Sequence, residues 1–121
     1  MKIEHFDQQS LWDRVAGDPE LLRELVELFT AEAPRMLARV EQAIKDGSPS
    51  GLEKASHKIK GSVLQFSAKT AAAIALELEE NGRCGSMTGA EALLKKLKHE
   101  VDLLQQTLRV MVGDKAERFR E

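Results

Sequence analysis

The sequence predicts an all-α protein whose helices pack as a bundle. Three observations carry that expectation. Apolar residues recur three and four apart in successive segments, the spacing of one helix face. Each segment is bounded by residues that cap, start or stop helices. Valine and isoleucine are scattered rather than alternating, and no turn of the Asn-Gly type joins two strand-like runs.

The elements follow in order. Asp7 reads as an N-cap, with Phe6 before it and Leu11 at the fourth helical position as a hydrophobic staple. A short helix then runs to about Ala16, and Gly17 ends it. Asp18-Pro19 is a second start, because proline at the first helical position loses no hydrogen bond. Leu21, Leu22, Leu25, Val26, Leu28 and Phe29 give the next stripe, continued by Met36, Leu37, Val40 and Ile44. Pro34 lies inside this run and predicts a kink or break near Ala33. Asp46-Gly47-Ser48-Pro49 closes the segment. Ser50-x-x-Glu53 reads as a capping box opening a third helix that ends near Ser67. An alanine-rich helix follows from Ala68 to about Glu80, stopped by Asn81-Gly82. Thr88-x-x-Glu91 is a second capping box. The last helix carries Ala90, Leu94, Leu97, Val101, Leu104, Leu108 and Met111, spaced alternately four and three. That repeat suits either a coiled-coil dimer or one seam of an intramolecular bundle. Short connections and one-sided neighbouring helices favour the bundle. Gly113 and the charged tail Asp114–Glu121 are expected to be frayed or exposed. The 121 residues fit one domain, with a core over about 6–112.

Composition excludes several functions. A net charge of −2 gives no general attraction to nucleic acid. At 4% aromatic residues and no tyrosine, surfaces for stacking bases, sugars or aromatic cofactors are not expected. No Gly-x-Gly-x-x-Gly or phosphate-cradling lysine loop is present, and no His-Glu-x-x-His or cysteine pair for zinc, so no bound cofactor or metal is expected. Cys84 is the lone cysteine, a bystander thiol near a turn, which fits a reducing, cytoplasmic setting. No apolar run approaches the roughly 20 residues that span a bilayer. The polar N-terminus, with Glu4, Asp7 and Gln8, is not a signal peptide. The sequence is equally compatible with the cytoplasmic terminal piece of a membrane protein.

The run Ala55-Ser56-His57-Lys58-Ile59-Lys60-Gly61-Ser62 concentrates the chemistry. On a helix Lys60 and Gly61 flank His57, and Leu64 lies two turns on and nearly in line. Leu52, Ala55, Ile59, Ser62, Val63 and Phe66 fall on the opposite side, so the histidine faces solvent. An imidazole, with a pKa of about 6.5, is a good nucleophile near neutral pH and can hold a phosphoryl group covalently. An ammonium one turn away would stabilise phosphoryl oxygens. Gly61 costs helix stability of about 1 kcal/mol against alanine, which suits a place where a partner approaches closely. Leu64 adds an apolar contact, and Lys54 and Lys58 suit an acidic partner. By residue types alone, a solvated histidine among solvated lysines explains the run equally well. His99 lies off the apolar seam and reads as a surface histidine. His5 carries no signal.

The longer run from His57 through Lys60, Gly61 and Ser62 to Phe66-Ser67-Ala68 resembles the signature of histidine-containing phosphotransfer (HPt) domains, broadly H-x-L-K-G-[SA]-x-x-x-[LF]-G-A. Gly17-Asp18-Pro19-Glu20-Leu21-Leu22 and Ala33-Pro34-Arg35-Met36-Leu37 upstream, and Leu78-Glu79-x-x-Gly82-Arg83 downstream, are similar to the family as well, so that most of Phe6 to Val112 is covered. Ile59 replaces the usual leucine. Ser67 stands where glycine is usual, which would strain or shift a turn needing positive φ. The resemblance implies an antiparallel four-helix bundle with a short extra N-terminal helix, and a phosphorelay module that takes a phosphoryl group from the aspartate of one receiver domain and passes it to another. His57 would be the phosphoacceptor, Lys60 the phosphoryl-stabilising residue and Gly61 the clearance for the receiver, with Lys54, Lys58 and Leu64 docking it. Glu79, at the height of His57 if the two helices turn near Ser67, would hydrogen-bond one imidazole nitrogen. A solvated glutamate beside Glu77 and Glu80 is the other reading of it. The partners implied are response-regulator receiver domains and a hybrid sensor histidine kinase. Magnesium would belong to the receiver, and the chain would be a monomeric phosphocarrier without kinase activity of its own. A non-catalytic helical adapter binding a partner through the His57 face is the rival reading.

Overall fold

The computed structural model describes residues 7–120, and the side chains of 7–113 among them. Five helices follow one another: α1 (Gln8–Arg14), α2 (Pro19–Lys45), α3 (Pro49–Leu64), α4 (Lys69–Cys84) and α5 (Ala90–Arg120). Their starts are set by short-range chemistry. Asp7 accepts from the Ser10 amide and Asp18 from those of Glu20 and Leu21, each satisfying donors that a first turn leaves open. Phe6, the other half of the expected staple, lies outside the described residues.

Five local expectations are corrected. Pro34 does not break α2, which runs unbroken through it. Pro34 and Thr30, whose carbonyl loses its partner, are both exposed, while Ala33 and Met36 face the core. Water can satisfy the freed carbonyl, and packing holds the inner face. The cap of α3 is Ser48, accepting from Gly51, with Pro49 at the first position, so Ser50 already lies inside the helix. The helix also closes earlier than expected, at Leu64. Asn81-Gly82 does not stop α4, which continues to Cys84 and ends on Gly85 at φ +75°. The start of α5 is Ala90, preceded by Gly89, whose carbonyl accepts from Leu93, so Thr88 stands one residue too early to cap it. At its far end α5 is helical through Gly113 to Arg120.

α2 packs on α3, α3 on α4, α4 on α5, and α5 back on α2. This closed ring is an antiparallel four-helix bundle, since the short connections leave successive helices as antiparallel neighbours. The α2–α3 register is fixed by Phe29 on Phe66, with ring centroids 5.1 Å apart, and by the Ser62 hydroxyl on the Met36 sulfur at 3.3 Å. The seam of α5, Ala90, Leu94, Leu97, Val101, Leu104 and Leu108, is buried in this core. α1 inserts Leu11 and Val15 into the core and is tied to the α3–α4 turn at Ser67.

Ser67 has φ +57°, the left-handed region that glycine tolerates best. The serine there is buried. Its hydroxyl donates to Ser10 Oγ at 2.8 Å and accepts from Arg14 Nε at 3.3 Å, bonds a glycine could not make. The turn keeps the left-handed geometry, and the side chain serves to fasten α1.

Candidate functional site

α3 carries the site because its two faces are chemically opposed. Leu52, Ser56, Ile59 and Val63 point inward, while His57, Lys58 and Gly61 are exposed on the crest. The His57 side chain is 69% exposed. Lys60, one turn on, is half-buried on the side facing α4. Lys54 and Lys58 are exposed on the other side of the crest, facing α2. Leu64 is partly exposed at the end of the helix. Nothing lies where a side chain on Gly61 would begin, so the surface beside the imidazole is open.

α4 completes the site from beneath. Glu79 is only 5% exposed, yet both of its oxygens are engaged. Oε2 lies 2.9 Å from His57 Nδ1 and accepts from Arg83 Nη2 at 3.2 Å. Oε1 accepts from Lys60 Nζ at 2.6 Å. The hydrogen bond from Lys60 holds the Glu79 carboxyl below its ordinary value of 4.5, against the opposing effect of burial; the bond from His57 acts with it. Glu79 is therefore ionised at neutral pH. A carboxylate can only accept, so Nδ1 of His57 carries the proton. In the neutral ring the lone pair is then left on Nε2, the nitrogen that Glu79 does not hold.

The sequence reading gave Arg83 no part in the site and gave Glu53 only a helix-capping role. Arg83 bridges the two acids, its Nε reaching Glu53 Oε2 at 3.4 Å while Nη2 reaches Glu79. The i,i+4 spacing of Glu79 and Arg83 was available as a signal, as was Glu53 four residues before His57. Gly82 has a different role from the helix stop expected of it. A Cβ on it would lie 2.5 Å from both the Glu53 amide nitrogen and the Pro49 carbonyl oxygen. Its lack of a side chain lets α4 approach α3 closely, one turn from Glu79.

The arrangement can present an oriented, nucleophilic nitrogen at an open surface, with an ammonium beside it. Among the described residues no group of three or more histidine, cysteine or acidic side chains is placed to hold a metal ion. Among them also, no helix is long and apolar enough to cross a membrane.

Known proteins share this fold. The profile of the Hpt family, described as "Hpt domain", matches residues 24–107. The crystal structure of histidine-containing phosphotransfer protein B (HptB) from Pseudomonas aeruginosa PAO1 has a similar fold, with a TM-score of 0.82 and 22% sequence identity over 97% of this chain and 98% of that one. No curated protein matches the chain.

Proposed function

The chain belongs to the Hpt domain family, and from that premise we propose that His57 is its phosphoacceptor and Nε2 the attacking atom. Hpt domains are histidine phosphotransfer modules of phosphorelay signalling, phosphocarriers rather than kinases, and they work with receiver domains. One observation supports the assignment above all: an exposed imidazole whose Nδ1 is held by a buried, ionised carboxylate.

The proposed reaction uses that geometry. Nε2 attacks the phosphorus of a receiver's aspartyl phosphate. The Nε2–P bond forms while the bond from phosphorus to the aspartate oxygen breaks, and the aspartate leaves as a carboxylate. The ring becomes positively charged as it bonds phosphorus, and the Glu79 carboxylate under Nδ1 stabilises that charge. Lys60 supplies positive charge near the incoming phosphoryl oxygens. Transfer onward to a second receiver is the same sequence reversed. The magnesium ion belongs to the receiver, this chain adds no kinase or other enzymatic activity, and it acts as a cytoplasmic monomer. Gly61 leaves room for the receiver, and Lys54, Lys58 and Leu64 contact it.

The test is incubation with phosphorylated receiver domains. The protein should acquire an acid-labile, alkali-stable phosphate that His57→Gln abolishes. Label that survives His57→Gln, or no label from any receiver of the source cell, contradicts the proposal; in the second case a helical adapter is what remains.

A further inference from the structure

The two flanks of His57 differ in charge balance. On the α4 flank both cations are matched, Lys60 by Glu79 and Arg83 by Glu79 and Glu53. On the α2 flank Arg39, Lys54 and Lys58 form no ion pair with any described residue. These three line one groove of about 440 Å³ between the C-terminal half of α2 and the N-terminal half of α3. Ala43, Gly51 and Ala55 keep its floor low. Its one acid, Asp46, already accepts from Gln42 at 2.8 Å. The N-terminus of α3, at Ser48 and Gly51, adds partial positive charge of its own.

Resting on the phosphotransfer reading above, we infer that this groove seats an acidic edge of the receiver domain, with Arg39 as the contribution of α2. Lys54 and Lys58 stand three residues before and one after His57, so the groove opens beside the imidazole. A receiver that holds magnesium next to a phosphorylated aspartate must carry carboxylates there. The unmatched cations meet those carboxylates, whereas the cations of the α4 flank are already paired with Glu79 and Glu53. The receiver is thereby oriented across α2 and α3. The groove is open to solvent, and its three cations come from two helices. That form suits an extended acidic surface better than a small anion. Charges of this kind act mainly on encounter, raising association rates in a salt-dependent way.

The experiment uses the full chain, labelled on His57 with phosphoramidate, and whichever receiver of the source cell drains the label fastest. Transfer is followed against receiver concentration in low and high salt, per labelled chain. Arg39→Glu should raise the half-saturating receiver concentration by about tenfold at low salt. High salt should slow wild-type transfer and bring the two proteins together. Lys58→Glu should act in the same direction, and circular dichroism checks that both variants keep their helices. Equal transfer by both variants at low salt, or wild-type transfer indifferent to salt, overturns the inference. So does inorganic pyrophosphate that shifts the amide signals of Arg39, Lys54 and Lys58 while leaving transfer unchanged, since the groove would then be a small-anion site. Failure of His57 to take label from phosphoramidate and from every receiver is a separate outcome. It removes the phosphotransfer reading itself, and this inference with it.

Discussion

Glu79 gathers an imidazole, an ammonium and a guanidinium onto two oxygens, and its consequences belong to the residue scale. Glu79→Gln keeps the shape but loses the charge that fixes the His57 tautomer. Transfer should slow about ten- to hundredfold, the scale seen when a partner that orients an imidazole is removed. Nitrogen NMR should show the ring divided between its two tautomers. A variant with wild-type transfer and an unchanged tautomer would show that Glu79 only fills space. The same substitution should cost about 1–3 kcal/mol of stability, the scale of lost hydrogen bonds to a charged group. The pH dependence has a definite sign. The folded Glu79 titrates below its ordinary value of 4.5, so its stabilisation is present above that value and is lost as pH falls through the lower, folded one. The melting-temperature gap between wild type and Glu79→Gln should therefore close in acid. The position of Glu79 opposite His57 was legible from counting residues back from the turn. Its burial was not, because Glu77 and Glu80 beside it are exposed and nothing in the local sequence distinguishes the three.

At the scale of elements, two glycines on adjoining helices act for opposite reasons. Gly82 is closed in by the α3 backbone, so Gly82→Ala should destabilise the protein by about 1–3 kcal/mol despite the better helix propensity of alanine, because backbone cannot yield as a side chain can. Pushing α4 outward would also carry Glu79 away from His57, and transfer should slow. Gly61 has open space around it, so Gly61→Ala should gain up to about 1 kcal/mol, while Gly61→Arg should block transfer with helicity kept. Thermal melts and transfer rates on the three variants check both statements. Normal transfer by Gly61→Arg would show that close approach at that position is unimportant. Helix existence and faces were legible because 3.6-residue periodicity is written over many residues. Ends were less so. Asn81-Gly82 has the composition of a stop, but the glycine is demanded by a neighbouring helix that the local sequence does not reveal. Pro34 has the composition of a break, but tertiary packing on the inner face outweighs the one lost hydrogen bond. Ser48 and Ser50 are both plausible caps, and the proline at position 49 decides between them.

For the whole molecule, the bundle's closure determines what the surface can do. The 3.5-residue seam of α5 is consumed by α2 and α4, which removes the apolar stripe a coiled-coil dimer would need, so the protein should sediment as a single chain. The α1 fastening at Ser67 is also a whole-molecule feature, joining the chain's first helix to its middle turn. There the departure from the family pattern was legible as a single substitution, while its compensation by Ser10 and Arg14, more than fifty residues away in sequence, was not. All of this scaffolding serves to hold one nitrogen at an open surface. The most direct test of the account is to phosphorylate the protein through a receiver and locate the phosphate by phosphorus and nitrogen NMR. The account predicts a single phosphohistidine, at His57, bonded through Nε2 with Nδ1 still protonated. Phosphate bonded through Nδ1, or found on any other residue, would contradict it.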